Sequence, residues 1–267
     1  MGARRIVLAA LAAVLLLAAC APARQPPPRV ALLAPFEGRY REIGYDVLYA
    51  LRLGLADSGS DVIVNAVDIS READLRASAV ASDPAILAVI AAGPQLADTA
   101  VLGALHGIPT IVLGDWDAPH DPAIFFMAPS QTSTIPAVVA LDTYHWDDDD
   151  ARGGDVFALR EFARLNPNAD PEVIISAALP DEALSQRIQA SGLFVPEPRL
   201  HASLAYDAGL FLGGALTGVH TRTDALDAVS RHETTGYNGT LAFDHGWWRN
   251  APIRRYRVSG EMLTPVD

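Results

Sequence analysis

Between Arg29 and Gly114 the chain alternates short apolar runs with stretches of helical spacing, and this alternation limits the possible folds more than any other feature. The runs are "VALLAP", which stops at Pro35, then "DVIVNAVD", "AILAVIAA" and "PTIVLG". Between the first two, "EIGYDVLYALRLGLADSG" puts Ile43, Val47, Leu48, Leu51 and Leu55 on one face of a helix ending at Ser58-Gly59. "READLRASAVAS" and "ADTAVLGALHG" read as the next two helices. A strand with one wet face would alternate apolar and polar residues. These runs do not, so both of their faces must be buried, as in a parallel sheet flanked by helices. The class is α/β.

Beyond Pro129 the pattern loosens. "IFFMAPS" reads as a short strand leaving the first lobe. "DTYHWDDDDARGGD" is an acidic loop, and "VFALREFARLN" has helical spacing. "EVIISAAL" is a further strand and "DEALSQRIQASG" a helix, followed by the long apolar helix "ASLAYDAGLFLGGAL" and the polar helix "RTDALDAVSRH". The tail, "GTLAFDHGWWRNAPIRRYRVSGEMLTPV", alternates aromatic and polar residues between Gly turns, which suits antiparallel strands.

The first residues stand apart from this fold. Arg4 and Arg5 precede an uninterrupted apolar run of 14 residues, Ile6 to Ala19. That length suits the hydrophobic part of a secretory signal and falls short of a membrane span. The run ends in "LAAC", and Cys20 is the only cysteine, so no intrachain disulfide can form. The pattern resembles the lipobox of bacterial lipoproteins, which implies cleavage before Cys20 and attachment of lipid to its thiol. The Pro-rich stretch through Pro28 would then be a stiff tether. With Arg4 and Arg5 set aside, 18 Arg and no Lys face 32 acidic residues, a formal charge of −14. Such a surface repels nucleic acid and anionic headgroups, so nucleic acid is not an expected partner and membrane attachment must come from the lipid.

Enzyme and metal signatures are missing. The sequence holds no G-x-S-x-G elbow, P-loop, G-x-G-x-x-G or H-E-x-x-H. "HETTG" at His232 lacks the second His of a zinc motif. From Asp148, Arg152 and Leu159 stand where an EF-hand needs acidic ligands. No catalytic residue, cofactor or metal is expected.

What remains is one edge of the sheet. In open parallel sheets, ligands bind beyond the carboxyl ends of the strands. Those ends carry "APFEGRY", "GPQLAD" and "GDWD". Gly93 lets backbone approach a ligand closely, although Gly and Pro are also common in ordinary βα turns.

Several segments, in order, resemble the type I periplasmic substrate-binding proteins of ABC transporters, the leucine/isoleucine/valine-binding group. "RVALLAPFEGRYREIGYDVLYALRLGL" is similar to that family's opening strand, loop and helix. "SDPAILAVIAAGPQLADTAVLGALHGIPTIVLG" resembles its "VaaviGP" to "gvP.i" segment, and "IFFMAPS" its hinge-crossing strand. "HASLAYDAGLFLGGAL" resembles its "YDA" helix, and "GYNGTLAFDHGW" its "G.tG.i.FD" turn.

The resemblance implies a two-lobed type I periplasmic-binding-protein-like α/β fold, with parallel sheets flanked by helices and a reduced second lobe. Residues 1–19 would be the signal peptide and 20–28 the tether. The first lobe would take 29–129 and 200–235, and the second 130–199 and 236–267. A cleft ligand would meet Phe36, Glu37, Gly93, Pro94, Gln95, Asp115, Trp116 and Tyr206, with Trp116 either stacking on it or filling the cleft, and with Tyr206 and Asp207 otherwise near the hinge, where hydrogen bonds of the YDA helix would fix the lobe geometry. The family's carboxylate-binding hydroxyls are absent near Leu96–Ala97 and Asp115–Trp116, with Thr99 close by. The implied partners are a small polar solute and an ABC permease, at the outer side of the cytoplasmic membrane or in the periplasm. "PEVIISAALPDEALSQRI" also resembles lipoproteins of this fold that activate penicillin-binding proteins. That likeness implies a second possibility, a ligand-free lipoprotein regulating a cell-envelope enzyme.

Overall fold

A computed structural model describes residues 27–114, 116, 121–129, 145–146, 149–150, 172–259 and 262–266. The signal-like run, Cys20, Asp115 and the helical stretch 156–166 expected from the sequence lie outside the described residues.

The four apolar runs form the strands β1 (Arg29–Ala34), β2 (Ile63–Asp68), β3 (Ile86–Ala91) and β4 (Thr110–Val112), followed by β5 (Ile124–Phe126). They lie in the order β2-β1-β3-β4-β5, all parallel. From Val30 to Ala34, and all along β3, the side chains are buried, as an all-apolar strand requires. β2 is the terminal strand and is half exposed. The helices between them are α1 (Arg41–Asp57), α2 (Ala73–Ser82) and the short α3 (Thr99–Gly103), which Asp98 caps by accepting from the Ala100 N–H at 2.9 Å.

The acidic loop contains two two-residue strands, β6 (His145–Trp146) and β7 (Asp149–Asp150), paired antiparallel. Next come β8 (Glu172–Ile175), α4 (Glu182–Ala190), α5 (Leu200–Ala215) and α6 (Arg222–Arg231). α5 is apolar on nearly every side and correspondingly buried. Its bare N-terminus is capped from another helix: Asp46 of α1 accepts from the Arg199 N–H at 2.7 Å and the Ala202 N–H at 3.0 Å. α5 and α1 run side by side and meet backbone to backbone at two glycines. A Cβ on Gly54 would stand 2.1 Å from the Tyr206 carbonyl oxygen, and one on Gly209 would stand 2.5 Å from that of Leu51. Arg222 fixes α6 to the start of β3 by donating to the carbonyls of Ile86, Ala81 and Asp83 at 2.9, 2.9 and 2.6 Å.

The tail divides differently from the boundary expected at Gly236. β9 (Glu233–Gly236), β10 (Gly239–Asp244) and β11 (Trp247–Trp248) join the first sheet, extending it to eight strands in the order β2-β1-β3-β4-β5-β11-β10-β9. Their apolar face explains this. Phe243 packs on Phe125 and Phe211 at 5.2 and 5.3 Å, and Trp247 stacks on Phe126 at 4.6 Å. Only β12 (Arg254–Ser259) and β13 (Met262–Val266) leave, forming a separate antiparallel sheet with β8. α4 packs on α1, where Arg187 donates to both oxygens of Asp57 at 2.6 Å and Gly192 abuts Tyr49. This helix therefore sits beside the first sheet.

Between β8 and α4 the segment Ala177–Asp181 crosses from one sheet to the other. Side chains hold its backbone. Tyr256 Oη accepts from the Leu179 N–H and donates to the Ala177 carbonyl, and Tyr237 Oη accepts from the Asp181 N–H and donates to the Leu179 carbonyl. Asn238 Oδ1 accepts from the Ala178 N–H at 2.7 Å.

Candidate functional site

The strand order reverses at β1, with β2 on one side and β3 on the other. Such a reversal opens a crevice beyond the strand tips, because the connections leave in opposite directions. The tips of β1 and β3 meet there. Gly93 has φ 117°, a conformation that L side chains rarely adopt, and a Cβ on it would lie 2.8 Å from Pro35 Cδ and 2.9 Å from Gln95 Oε1. Gly93 is thus required by its backbone angle and by the closeness of its neighbours. Pro94 opens the 3-10 turn Pro94–Ala97, which carries Gln95 back over this contact. Gln95 Oε1 is buried and has no hydrogen-bond partner among the described residues. Leaving a buried amide oxygen unpaired costs about 1–3 kcal/mol, and such groups concentrate where a ligand or water completes them.

Phe36 and Glu37 stand on the β1 tip, as the sequence placed them, but their main chain is already engaged. Asp68 Oδ1 accepts from the N–H groups of Phe36 (2.8 Å) and Ser70 (3.0 Å) and from the Ser70 hydroxyl (2.6 Å). The Glu37 N–H donates to Ser70 Oγ at 3.0 Å. Burial pulls the Asp68 carboxyl upward, yet the bonds from Ser70 and Phe36 outweigh it and hold the group below its usual range. This staple between the first two tips was missed in the sequence. The signal for it was a carboxylate at a strand end with a hydroxyl two residues on, in "VDIS". The Glu37 side chain itself is exposed, and the Phe36 ring meets Tyr45 edge-on at 5.5 Å.

Trp116 is only 3% exposed. Its indole N–H donates to the Leu113 carbonyl at 2.8 Å, and its ring stacks on His201 of α5 at 5.5 Å. Of the two roles the sequence left open, its contacts are those of packing. Desolvation lowers the pKa of His201 to about 4, so this histidine is neutral at physiological pH. Desolvation likewise raises Asp46 to about 7, against the N–H bonds of Arg199 and Ala202 and the charge of Arg199.

Tyr206 is not brought to the strand tips. Its hydroxyl donates to Asp57 Oδ2 at 2.6 Å, at the C-terminal end of α1. α1 starts just past the β1 tip and runs back for 17 residues, so this end lies about 25 Å from the crevice. The reason is helical phase: Tyr206 faces α1 and α4, whereas its neighbour Asp207 faces β9 and β10. Asp207 accepts from the Tyr237 N–H (2.5 Å), the Asn238 N–H (2.8 Å) and Asn238 Nδ2 (2.9 Å), next to the crossing segment. Burial raises its pKa against those bonds.

The structure therefore gathers Phe36, Glu37, Gly93, Pro94 and Gln95 at one edge, with Trp116 packed beneath and Tyr206 remote. Thr99 is exposed at the start of α3. No three-residue His, Cys, Asp or Glu group among the described residues could hold a metal, and no helix among them is long and apolar enough to cross a membrane.

Neither the protein-family models nor the curated protein sequences compared with this chain give a match. Solved structures do. An extracellular ligand-binding receptor from Desulfohalobium retbaense superposes with a TM-score of 0.66 at 16% identity, over 90% of this chain but 59% of that one. The branched-chain amino acid transporter substrate-binding protein LivJ from Streptococcus pneumoniae, in complex with isoleucine, gives 0.59 at 14% identity, over 90% and 99% of the two chains. An ABC-transporter solute-binding protein from R. palustris, in complex with benzoate, gives 0.60 at 14% identity, over 90% and 96%. Identities this low carry the architecture and nothing finer: the eight-stranded mixed sheet with its flanking helices is the two-lobed type I periplasmic-binding-protein fold.

Proposed function

We propose that this protein is an extracytoplasmic solute-binding protein of an ABC uptake system, held to the membrane by lipid on Cys20, and that it takes a small polar molecule at the β1–β3 crevice. The observation that carries this reading is the tip pair itself, bare backbone at Gly93 beside the unpaired, buried Oε1 of Gln95. A ligand N–H or O–H would complete that oxygen, while Phe36 supplies apolar contact and Glu37 an accessible carboxylate for a cationic group. Asp115 is proposed to extend the site from the β4 tip. The solved relatives bound to isoleucine and to benzoate support a small-molecule role for the fold. Closure then follows from the ligand's greater affinity for one arrangement of the lobes.

Thermal-shift screening against amino acids, amides, nucleosides and aromatic acids tests the proposal. A true ligand at a hundred times its dissociation constant adds about 2.7 kcal/mol of stability. Failure of every class to shift the transition would overturn it.

The inward packing of Trp116 and the Asp68–Ser70 staple favour a second reading, because they use groups that a solute would otherwise engage. In that reading the chain is a ligand-free lipoprotein that regulates a cell-envelope enzyme such as a penicillin-binding protein. It predicts no thermal shift, together with direct binding to such an enzyme in a pull-down.

A further inference from the structure

The eight-stranded sheet treats its two edges in opposite ways. At one end, β9 is only four residues long, reads Glu-Thr-Thr-Gly, and carries a Glu233–Arg249 ion pair. Short length and charge are the usual means by which a sheet edge is kept from pairing with another chain. At the other end, β2 has six residues, and its stretch Ile63–Val67 contains no charge and no Pro. Its register with β1 runs unbroken from Arg29↔Ile63 to Ala34↔Asp68, so no bulge twists the edge away. Ile63 is 48% exposed, and Leu75 on the adjoining α2 is 60% exposed. Asn65 and Ala66 are exposed as well.

The direction of the hydrogen-bonding groups that β2 leaves without a partner among the described residues is fixed by β1. The Ile63 N–H donates to the Pro28 carbonyl and the Ile69 N–H to the Ala34 carbonyl. The odd-numbered residues of β2 therefore turn their amides toward β1. Val64, Ala66 and Asp68 turn theirs to the outer edge.

We propose that β2 is the dimer interface of this protein, pairing antiparallel with β2 of a second copy about a two-fold axis through Asn65. A second copy is the occupant that fits because the edge is complementary to itself. With Asn65 opposite Asn65, the outward residues Val64 and Ala66 form hydrogen-bonded pairs, and Ile63 stands opposite Val67. The charges agree with the same symmetry. Asp61 and Arg71 are exposed and flank β2 at opposite ends, so the two-fold brings each toward its opposite on the other copy. The pairing is isologous and closes on itself, which gives a dimer and not a filament.

The test measures the protein mass of the full chain in detergent by sedimentation and light scattering, over a wide concentration range. The wild type is expected to reach twice its monomer mass. Ala66→Pro removes an outward N–H that makes no bond to β1, so the fold should persist by circular dichroism while the mass halves. Asn65→Cys offers an independent readout. Opposed residues of a non-hydrogen-bonded antiparallel pair are about 4.5 Å apart at Cα, within disulfide reach, so mild oxidation should give a cross-linked dimer that wild type does not. A monomeric wild type, a dimer that survives Ala66→Pro, or no cross-link at Asn65 overturns the proposal. None of these readouts requires a solute, so they are independent of the transport reading.

Discussion

The interface between α1 and α5 and the edge formed by the β1 and β3 tips both depend on glycine, but they use it for opposite ends. Between the helices, Gly54 and Gly209 let two backbones touch, and the nearby Asp46 finds its partners within the chain by capping α5. At the tips, Gly93 also permits close approach, yet the neighbouring Gln95 oxygen is left without a partner among the described residues. The first arrangement is complete in itself. The second leaves a buried oxygen open among the described residues. On the proposed reading, hydrogen-bond satisfaction distinguishes these two regions more than residue type does.

Three changes would break or sharpen that contrast. The largest effect belongs to Gly54→Val. Its side chain would start 2.1 Å from a backbone carbonyl that cannot move alone, so a loss of about 3 kcal/mol or more is expected in urea unfolding. A loss under about 1 kcal/mol would mean the helices separate easily and the contrast is false.

Next in size is a pair of opposing pH dependences where the two regions join, since His201 lies on α5 under Trp116 and Asp46 caps the same helix. Asp46 has its folded pKa raised to about 7, so its contribution to stability is full below pH 3.8 and is lost as pH rises toward 7. His201 has its folded pKa lowered to about 4, so its contribution is full above pH 6.5 and is lost as pH falls toward 4. Between about pH 4 and 6.5 these two slopes nearly cancel. Relative to wild type, Asp46→Asn should make stability rise with pH in that window, and His201→Phe should make it fall, each by about 1 kcal/mol per pH unit. Parallel slopes in wild type and both variants would refute the burial argument.

The smallest effect on stability is expected at the tips. Gln95→Leu removes an oxygen that has no partner among the described residues, so unfolding should change by no more than about 0.5 kcal/mol, or even improve. Any ligand-induced thermal shift should meanwhile disappear. A large destabilisation by this variant would show that Gln95 serves the fold and not a solute.

Much of this was legible from the chain. The apolar runs at β1, β3 and β4 marked the parallel strands, because burial on both faces leaves no room for alternation, while the edge strand β2 is half exposed. "GP" at Gly93 marked the tip. The association of the later strands was not legible. "TLAFDHGWW" shows strand character, but nothing local says that Phe243 will find Phe125 and Phe211 and so join the first sheet. Tyr206 and Asp207 are adjacent letters whose side chains serve different partners on opposite sides of α5, and the sequence reading gave Tyr206 to the cleft. Trp116 illustrates a further limit: an aromatic residue at a strand tip can face outward or inward, and only its contact with His201 decides.

The cap that Asp46 provides for α5 also bears on how the molecule is assembled. The two partners are separated by 153 and 156 positions along the chain. During synthesis, α1 emerges early with its glycine-lined side uncovered, and its covering helix arrives only after the intervening segments have passed. Contacts so far apart in sequence close slowly, because the loop between them must be ordered first. α1, made early, is therefore covered only late, and it is where a chaperone or a protease would find the nascent chain open.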